Sequence, residues 1–262
     1  MIKVVIHGVL GRVGQEVLRA VCANPEMQAV GGVDIKAKSK NLTLPNGAEI
    51  PLSDDIDAII SATKPDVMVD FTVYQAAMPA IRIAAKNKVN LVIGTTGFSQ
   101  QDIDEIDKLC TSNKIGAIVA SNFAIGAILM IHMAKIASKY FDYAEIIEKH
   151  HEKKADAPSG TALSTAKAMI QARGKGFTMP PLEKEVLPHT RGGQIDGVSM
   201  HSVRLPGLMA HQEVIFGAPG QTLIIRHDTI NRECYMPGVI MAVKHINAHK
   251  GLIVGLDKML GL

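Results

Sequence analysis

Three observations predict an α/β fold in two domains. A short β-branched run, Ile2-Lys3-Val4-Val5-Ile6, passes directly into Gly8-Val9-Leu10-Gly11-Arg12-Val13-Gly14 and then into the helical pattern Gln15 to Val21. Strand-like and helix-like runs then alternate to about residue 122, the order of a parallel sheet. Past that point a Met- and Ile-rich helix gives way to several strands, which predicts an α+β domain on a mixed or antiparallel sheet.

Size and composition bound the answer. At 262 residues the chain can bury the core of two domains or one large one. Its 47% hydrophobic and 20% charged residues are ordinary for a globular protein, and 23 glycines suit a fold rich in tight turns. The net charge of +3 is small, and no basic run is interleaved with aromatics, so nucleic acid is not an expected partner. Cys22, Cys110 and Cys234 are too few and too far apart for a disulfide framework or paired zinc motif, which points to a reducing compartment, the cytoplasm. No membrane partner is expected either. The opening apolar run is too short for a signal peptide, and no stretch reaches the roughly eighteen apolar residues of a membrane span.

In the first domain, strand, glycine turn and helix stand in the order of a dinucleotide-binding unit, so the reading is Rossmann-like. The glycines there permit a tight turn and close helix approach, and the helix start faces a pyrophosphate. A plain strand-to-helix turn is the alternative. A second strand, Gln28 to Val33, ends in Asp34, which lies 20 residues beyond Gly14 and is a candidate acceptor for an adenosine ribose or a strand-end turn residue. Lys36, Lys38 and Lys40 follow and can equally meet a 2′-phosphate, so NADH and NADPH are both expected to bind. Ala58-Ile59-Ile60, Val67 to Thr72, a helix over 75–87 and the strand Asn90 to Ile93 extend the alternation. Small polar residues mark the strand ends at Phe71-Thr72, Gly94-Thr95-Thr96-Gly97 and Ala120-Ser121-Asn122-Phe123, where ligands of open parallel sheets bind.

The domain boundary is placed near Asn122. The first domain is 1–122, with a C-terminal helix in 233–262 expected to pack back on it; 123–232 forms the second. There a helix over 125–140 leads to the strand Tyr143 to Glu148 and then to Lys149-His150-His151-Glu152-Lys153-Lys154. Histidine exchanges protons near neutral pH, and a lysine among other cations is a candidate proton donor, so the loop suits an anionic substrate. A solvated surface turn and, less in keeping with ligand spacing, a metal site are the alternatives. Ser159 is a candidate N-cap of a helix whose first amides, near Gly160 and Thr161, suit a carboxylate or phosphate. Residues 174–193 read as a long excursion, with strands returning at 197–205, 212–216 and 222–227.

Glu148-Lys149-His150-His151, followed by Lys154-Ala155-Asp156-Ala157-Pro158-Ser159-Gly160-Thr161-Ala162, resembles the catalytic signature of the 4-hydroxy-tetrahydrodipicolinate reductase (dihydrodipicolinate reductase) family of lysine and diaminopimelate biosynthesis. Ile93-Gly94-Thr95-Thr96-Gly97-Phe98 and the Gly8 to Gly14 turn are similar to the family's in order and place. Two departures stand out: Leu10, where many members have glycine, and Val73-Tyr74, where Arg-Pro is usual.

The resemblance implies reduction of a cyclic dicarboxylate imine by NADH or NADPH. It implies that His150 is the catalytic acid/base and Lys154 the proton donor, and that His151, Ser159, Gly160 and Thr161 hold the carboxylates. It also implies that Gly8, Val9, Leu10, Gly11, Arg12, Val13, Asp34, Gly94, Thr95, Thr96, Ala120, Ser121, Asn122 and Phe123 line the cofactor, with no metal. A homotetramer joined through the second domain's sheet is implied as well. His150 and Lys154 are expected to be cationic against the developing negative charge. A non-catalytic nicotinamide-binding redox sensor and another amino-acid dehydrogenase are the alternatives.

Overall fold

The computed structural model describes residues 1–262 and begins with the expected strand, β1 (Ile2–His7), whose last four residues are buried. After the glycine turn comes α1 (Arg12–Ala23), which buries Gly14, Val17, Leu18 and Val21, the i, i+3, i+4, i+7 stripe of a helix lying on a sheet. Next are β2 (Met27–Val33), a short hairpin of β3 (Asn41–Thr43) and β4 (Glu49–Ser53), and α2 (Ile56–Thr63). Ala58-Ile59-Ile60 lie inside α2, whose start is fixed by the Asp55 carboxylate accepting from the amides of Asp57 and Ala58. Then follow β5 (Val67–Asp70), α3 (Tyr74–Lys86), β6 (Asn90–Ile93), α4 (Gln100–Asn113) and β7 (Gly116–Val119). β5, β6 and β7 are buried at every position, as parallel strands covered on both faces must be.

The chain continues through α5 (Ile125–Ala137), β8 (Tyr143–His150), α6 (Gly160–Arg173), β9 (Gly193–Ile195), β10 (Val198–Arg204), β11 (Ala210–Ala218) and β12 (Gln221–Thr229). It closes with α7 (Met236–Ala248), β13 (Gly251–Val254) and α8 (Leu256–Leu260). Two compact units result: Met1–Ala124 with Arg232–Leu262, and Ile125–Asn231.

The first unit holds an eight-stranded sheet in the order β13-β7-β6-β5-β1-β2-β4-β3, parallel except where β3 folds back on β4. The winding reverses at β1, with β2 on one side and β5 on the other, and such a reversal leaves a crevice at the strands' carboxyl ends. α7 packs against β6, β7 and α1.

The second unit holds a five-stranded sheet in the order β12-β11-β8-β10-β9. It is mixed: β10 runs parallel to β8, because the chain crosses over through α6 between them, and the other pairs are antiparallel. α5 and α6 pack together, and the core gathers Ala134, Ile146, Ala166, Met169, Val198, Val214 and Phe216. Most of the 174–193 excursion forms neither helix nor strand, and β9 starts at its end.

Candidate active site

The first candidate region is built by backbone. Gly8 has φ +82°, and a Cβ there would stand 2.8 Å from the Phe71 carbonyl oxygen. At Gly14 a Cβ would stand 2.0 Å from the Gly8 carbonyl oxygen, so α1 can lie this close to the turn only with hydrogen at that position. α1 starts on Gly11 with no side-chain cap and no acidic residue in its first turn. Arg12 is exposed, Leu10, Gly11 and Val13 are half-buried and Val9 is fully buried. An uncapped helix start over a glycine turn is the electropositive cradle that a pyrophosphate needs, so these residues fit a dinucleotide.

Asp34 is brought to the same turn. Its carboxylate accepts from the Leu10 amide at 2.9 Å and the Lys36 amide at 3.0 Å. Leu10 therefore turns its N–H to Asp34, while Lys36, Lys38 and Lys40 extend into solvent. Gly94, Thr95 and Thr96 follow β6, and Ala120 to Phe123 follow β7, along the same edge of the sheet. The Ala120 amide donates to the Ile93 carbonyl at 3.0 Å, and the Phe71 and Phe123 rings meet at 5.5 Å. Of the two departures, Tyr74 joins the α3 and α4 packing, donating its hydroxyl to Asp102 at 3.0 Å, and Val73 is exposed.

The second region is built by charge. Along β8, Ala144, Ile146 and Glu148 are buried in alternation, so Glu148 stands on the core-facing register although it is an acid. It is fully buried, and donors from several elements reach it. Arg204, near the end of β10, bonds both oxygens, at 2.9 and 2.7 Å, and also donates to the Asp156 carbonyl at 2.7 Å. His150 Nδ1 lies 2.5 Å from one oxygen, and the Ser159 amide donates to the other at 3.2 Å. One carboxylate thus orients the imidazole and fixes the start of α6.

Ser159 is buried, and its hydroxyl caps α6 by accepting from the Ala162 amide at 3.1 Å. Both its amide and its hydroxyl oxygen are engaged within the fold, while Gly160 is exposed and Thr161 half-buried. A Cβ at Gly160 would meet nothing within 4 Å, so the helix start opens onto space. Lys154, half-buried, has its Nζ 2.7 Å from Asp156 Oδ1, and its amide donates to the His151 carbonyl at 3.2 Å. His150, His151, Lys154 and the amide end of α6 are therefore gathered in one loop system. Glu148 and Arg204 are the residues that motif reading left without a role.

Burial alone would raise the Glu148 carboxyl, but hydrogen bonds from Arg204, Ser202 and His150 together outweigh it and hold the group below its ordinary value. His150 also shifts down, because burial disfavours the imidazolium more than Glu148 attracts it, with Lys154 and Arg204 adding repulsion. Burial thus works against the cationic His150 expected from sequence, while Glu148 works for it. A negative charge placed beside the ring would act in the opposite sense and favour the imidazolium.

An anion cradle at the winding reversal of a parallel sheet, together with an acid/base site in a separate α+β unit, is the make-up of a nicotinamide-dependent oxidoreductase. Comparison with known proteins makes the assignment specific. The profile described as "Dihydrodipicolinate reductase, N-terminus" matches residues 2–123, and "Dihydrodipicolinate reductase, C-terminus" matches residues 126–260. A relative from Dehalococcoides mccartyi (strain CBDB1), named 4-hydroxy-tetrahydrodipicolinate reductase, is 59% identical and aligns over 100% of this chain and 99% of its own. One of the same name from Bacillus subtilis (strain 168) is 44% identical over 99% and 98%. The solved dipicolinate-bound dihydrodipicolinate reductase from Paenisporosarcina sp. TG-14 superposes with a TM-score of 0.89 at 41% identity, covering 99% of each chain. The chain belongs to the dihydrodipicolinate reductase family. An amine dehydrogenase from Mycobacterium smegmatis, at TM-score 0.67 and 14% identity, shares the fold alone.

Proposed function

We propose that the protein reduces 4-hydroxy-tetrahydrodipicolinate (dihydrodipicolinate) to tetrahydrodipicolinate in lysine and diaminopimelate biosynthesis. The observation that carries this reading is the Glu148 carboxylate, which holds His150 Nδ1 and the Ser159 amide at once and so orients a proton-exchanging ring and a carboxylate-binding helix start together.

The nicotinamide, when bound, supplies the hydride. The protein's own groups do the rest. The Gly160 and Thr161 amides, with His151 and the Ser159 hydroxyl, receive the two ring carboxylates. Once the 4-hydroxyl of the substrate has left as water to give the conjugated imine, hydride addition forms an enamine. Lys154 breaks its contact with Asp156 and gives an Nζ proton to the enamine carbon, so that hydride and proton together add two hydrogens across the conjugated system. His150, steered by Glu148 through Nδ1, keeps its Nε2 for proton exchange with the ring, and gains charge as the dianion enters.

Both coenzymes are used in this reading. Asp34 is held ready as a ribose acceptor, and the exposed Lys36, Lys38 and Lys40 can meet a 2′-phosphate. The assembly is a homotetramer joined through the five-stranded sheet, an idea supported by Leu223 and Ile224, 39% and 55% exposed on edge strand β12. Cys22, Cys110 and Cys234 are not joined in disulfides, which supports a cytoplasmic setting.

The test is to follow nicotinamide absorbance with purified protein and freshly generated cyclic imine, with each coenzyme in turn. Oxidation of both that depends on the imine is expected. Coenzyme binding without oxidation would remove the proposal.

A further inference from the structure

We infer that His7, Asp70 and Thr72 are positioning residues for the cofactor: one buried carboxylate ties together three loops at the carboxyl edge of the eight-stranded sheet. The inference rests on reading that edge as the nicotinamide-binding cradle, and it concerns residues to which the proposed mechanism gives no role.

β1 and β5 are parallel neighbours with His7 opposite Asp70. Asp70 is fully buried, His7 is 7% exposed and Thr95 4%. His7 Nδ1 lies 2.5 Å from Asp70 Oδ2; a carboxylate has no proton to give, so the imidazole donates. Thr95 Oγ1 donates to Asp70 Oδ1. Thr72 Oγ1 reaches Oδ2 at 3.0 Å and Oδ1 at 3.3 Å, and the Thr72 amide donates to Thr95 Oγ1 at 2.9 Å. Each partner opens a different loop: His7 immediately precedes the Gly8 turn, Thr72 follows β5, and Thr95 sits between Gly94 and Thr96.

Position 70 closes a strand whose other residues, Val67, Met68 and Val69, are wholly buried and apolar. A further aliphatic residue would avoid desolvating a carboxylate, but would leave nothing to bind a ring nitrogen and two hydroxyls from separate loops. The loops also touch sterically, since the Gly8 turn rests against the Phe71 carbonyl and Gly94 lies under the Phe71 ring. Loosening one bond of the carboxylate therefore lets the turn and the Gly94 loop drift from the shape that cradles a dinucleotide.

The test measures cofactor affinity separately from folding. NADH and NADPH are titrated by nicotinamide fluorescence into wild type, His7→Ala and His7→Asn, with thermal midpoints and binding of dipicolinate recorded alongside. His7→Ala is expected to weaken coenzyme binding by about ten- to hundredfold, the range for loss of a hydrogen bond to a charged group, with dipicolinate affinity unchanged. His7→Asn, whose amide nitrogen sits near the place of Nδ1, is expected to restore most of it. A lowered midpoint with coenzyme affinity unchanged would make the network a structural brace and overturn the inference, as would failure of His7→Asn to rescue. If His7→Ala does not fold, Thr72→Val, equal in shape but lacking the hydroxyl, carries the same test, and unchanged coenzyme affinity there overturns it. Wild type that binds neither coenzyme refutes the cradle itself, a result distinct from wild type and variants binding alike.

Discussion

The starts of α1 and α6 offer two solutions to the same problem. Both are helix starts suited to an anion, and neither has an acid in its first turn. α1 starts on Gly11 with no side-chain cap, and its surroundings are shaped by what glycine lacks. α6 starts on Ser159, whose hydroxyl closes the helix and whose amide is bound by buried Glu148. In the proposed reading the first would hold its anion with bare backbone, and the second with a helix start set in place by the charged scaffold of Glu148, Arg204, His150 and Lys154. Steric substitutions should therefore injure the first region, and charge-removing substitutions the second.

The largest effect on stability should come from the charged scaffold. Arg204→Leu leaves the buried Glu148 without its guanidinium counter-charge, at a cost of about 3–5 kcal/mol, to be read from urea unfolding. A loss under about 1 kcal/mol would mean that water already reaches the carboxylate. Next, Gly14→Ala drives a methyl group into the Gly8 carbonyl; overpacking of about 1–3 kcal/mol is expected, together with loss of NADPH binding by fluorescence titration. Retained binding would show that α1 can back away, and would blunt the contrast.

Cap removal sharpens the contrast further. Ser159→Ala and Ser99→Ala should each cost about 1 kcal/mol, since both hydroxyls cap helices, Ser99 in a capping box with Asp102. Only Ser159→Ala should also weaken dicarboxylate binding by calorimetry, because Ser99 belongs to α4. The smallest effect is on pH dependence. His150 and Glu148 both titrate lower in the fold than in the unfolded chain, so on acidification the unfolded chain takes up protons first and stability drops. The His150 contribution is full above about pH 6.5 and is lost as pH falls through its lowered folded value; that of Glu148 is lost below about 4.5. In His150→Asn the upper part of this decline in urea midpoint should vanish.

The two regions also differed in how far they could be read from sequence. The glycine turn and the strand–helix alternation gave the parallel sheet, since both are local patterns. β3, three residues long, and β13, set in place by pairing with β7, carry too little local signal. α4 was missed despite Ser99-x-x-Asp102, a start signal that its largely polar face obscures. In the second unit the His and Lys cluster was visible, but its anchor was not used. Glu148 follows Ala144 and Ile146 in the same period-two register, and an acid in an apolar register was the available clue. Arg204, 56 positions away, joins it only through the pairing of β10 with β8, which no local pattern specifies. The downward shift of His150 likewise depends on burial, a property of the fold rather than of the His-His dipeptide.

Turnover of Lys154→Ala, with imine and coenzyme both saturating, addresses the proposed chemistry most directly. Loss of the proton donor should lower turnover by roughly 10²–10⁴ while coenzyme affinity stays at the wild-type value. Wild-type turnover in that variant would show that the proton comes from elsewhere and that the charged loop serves another purpose.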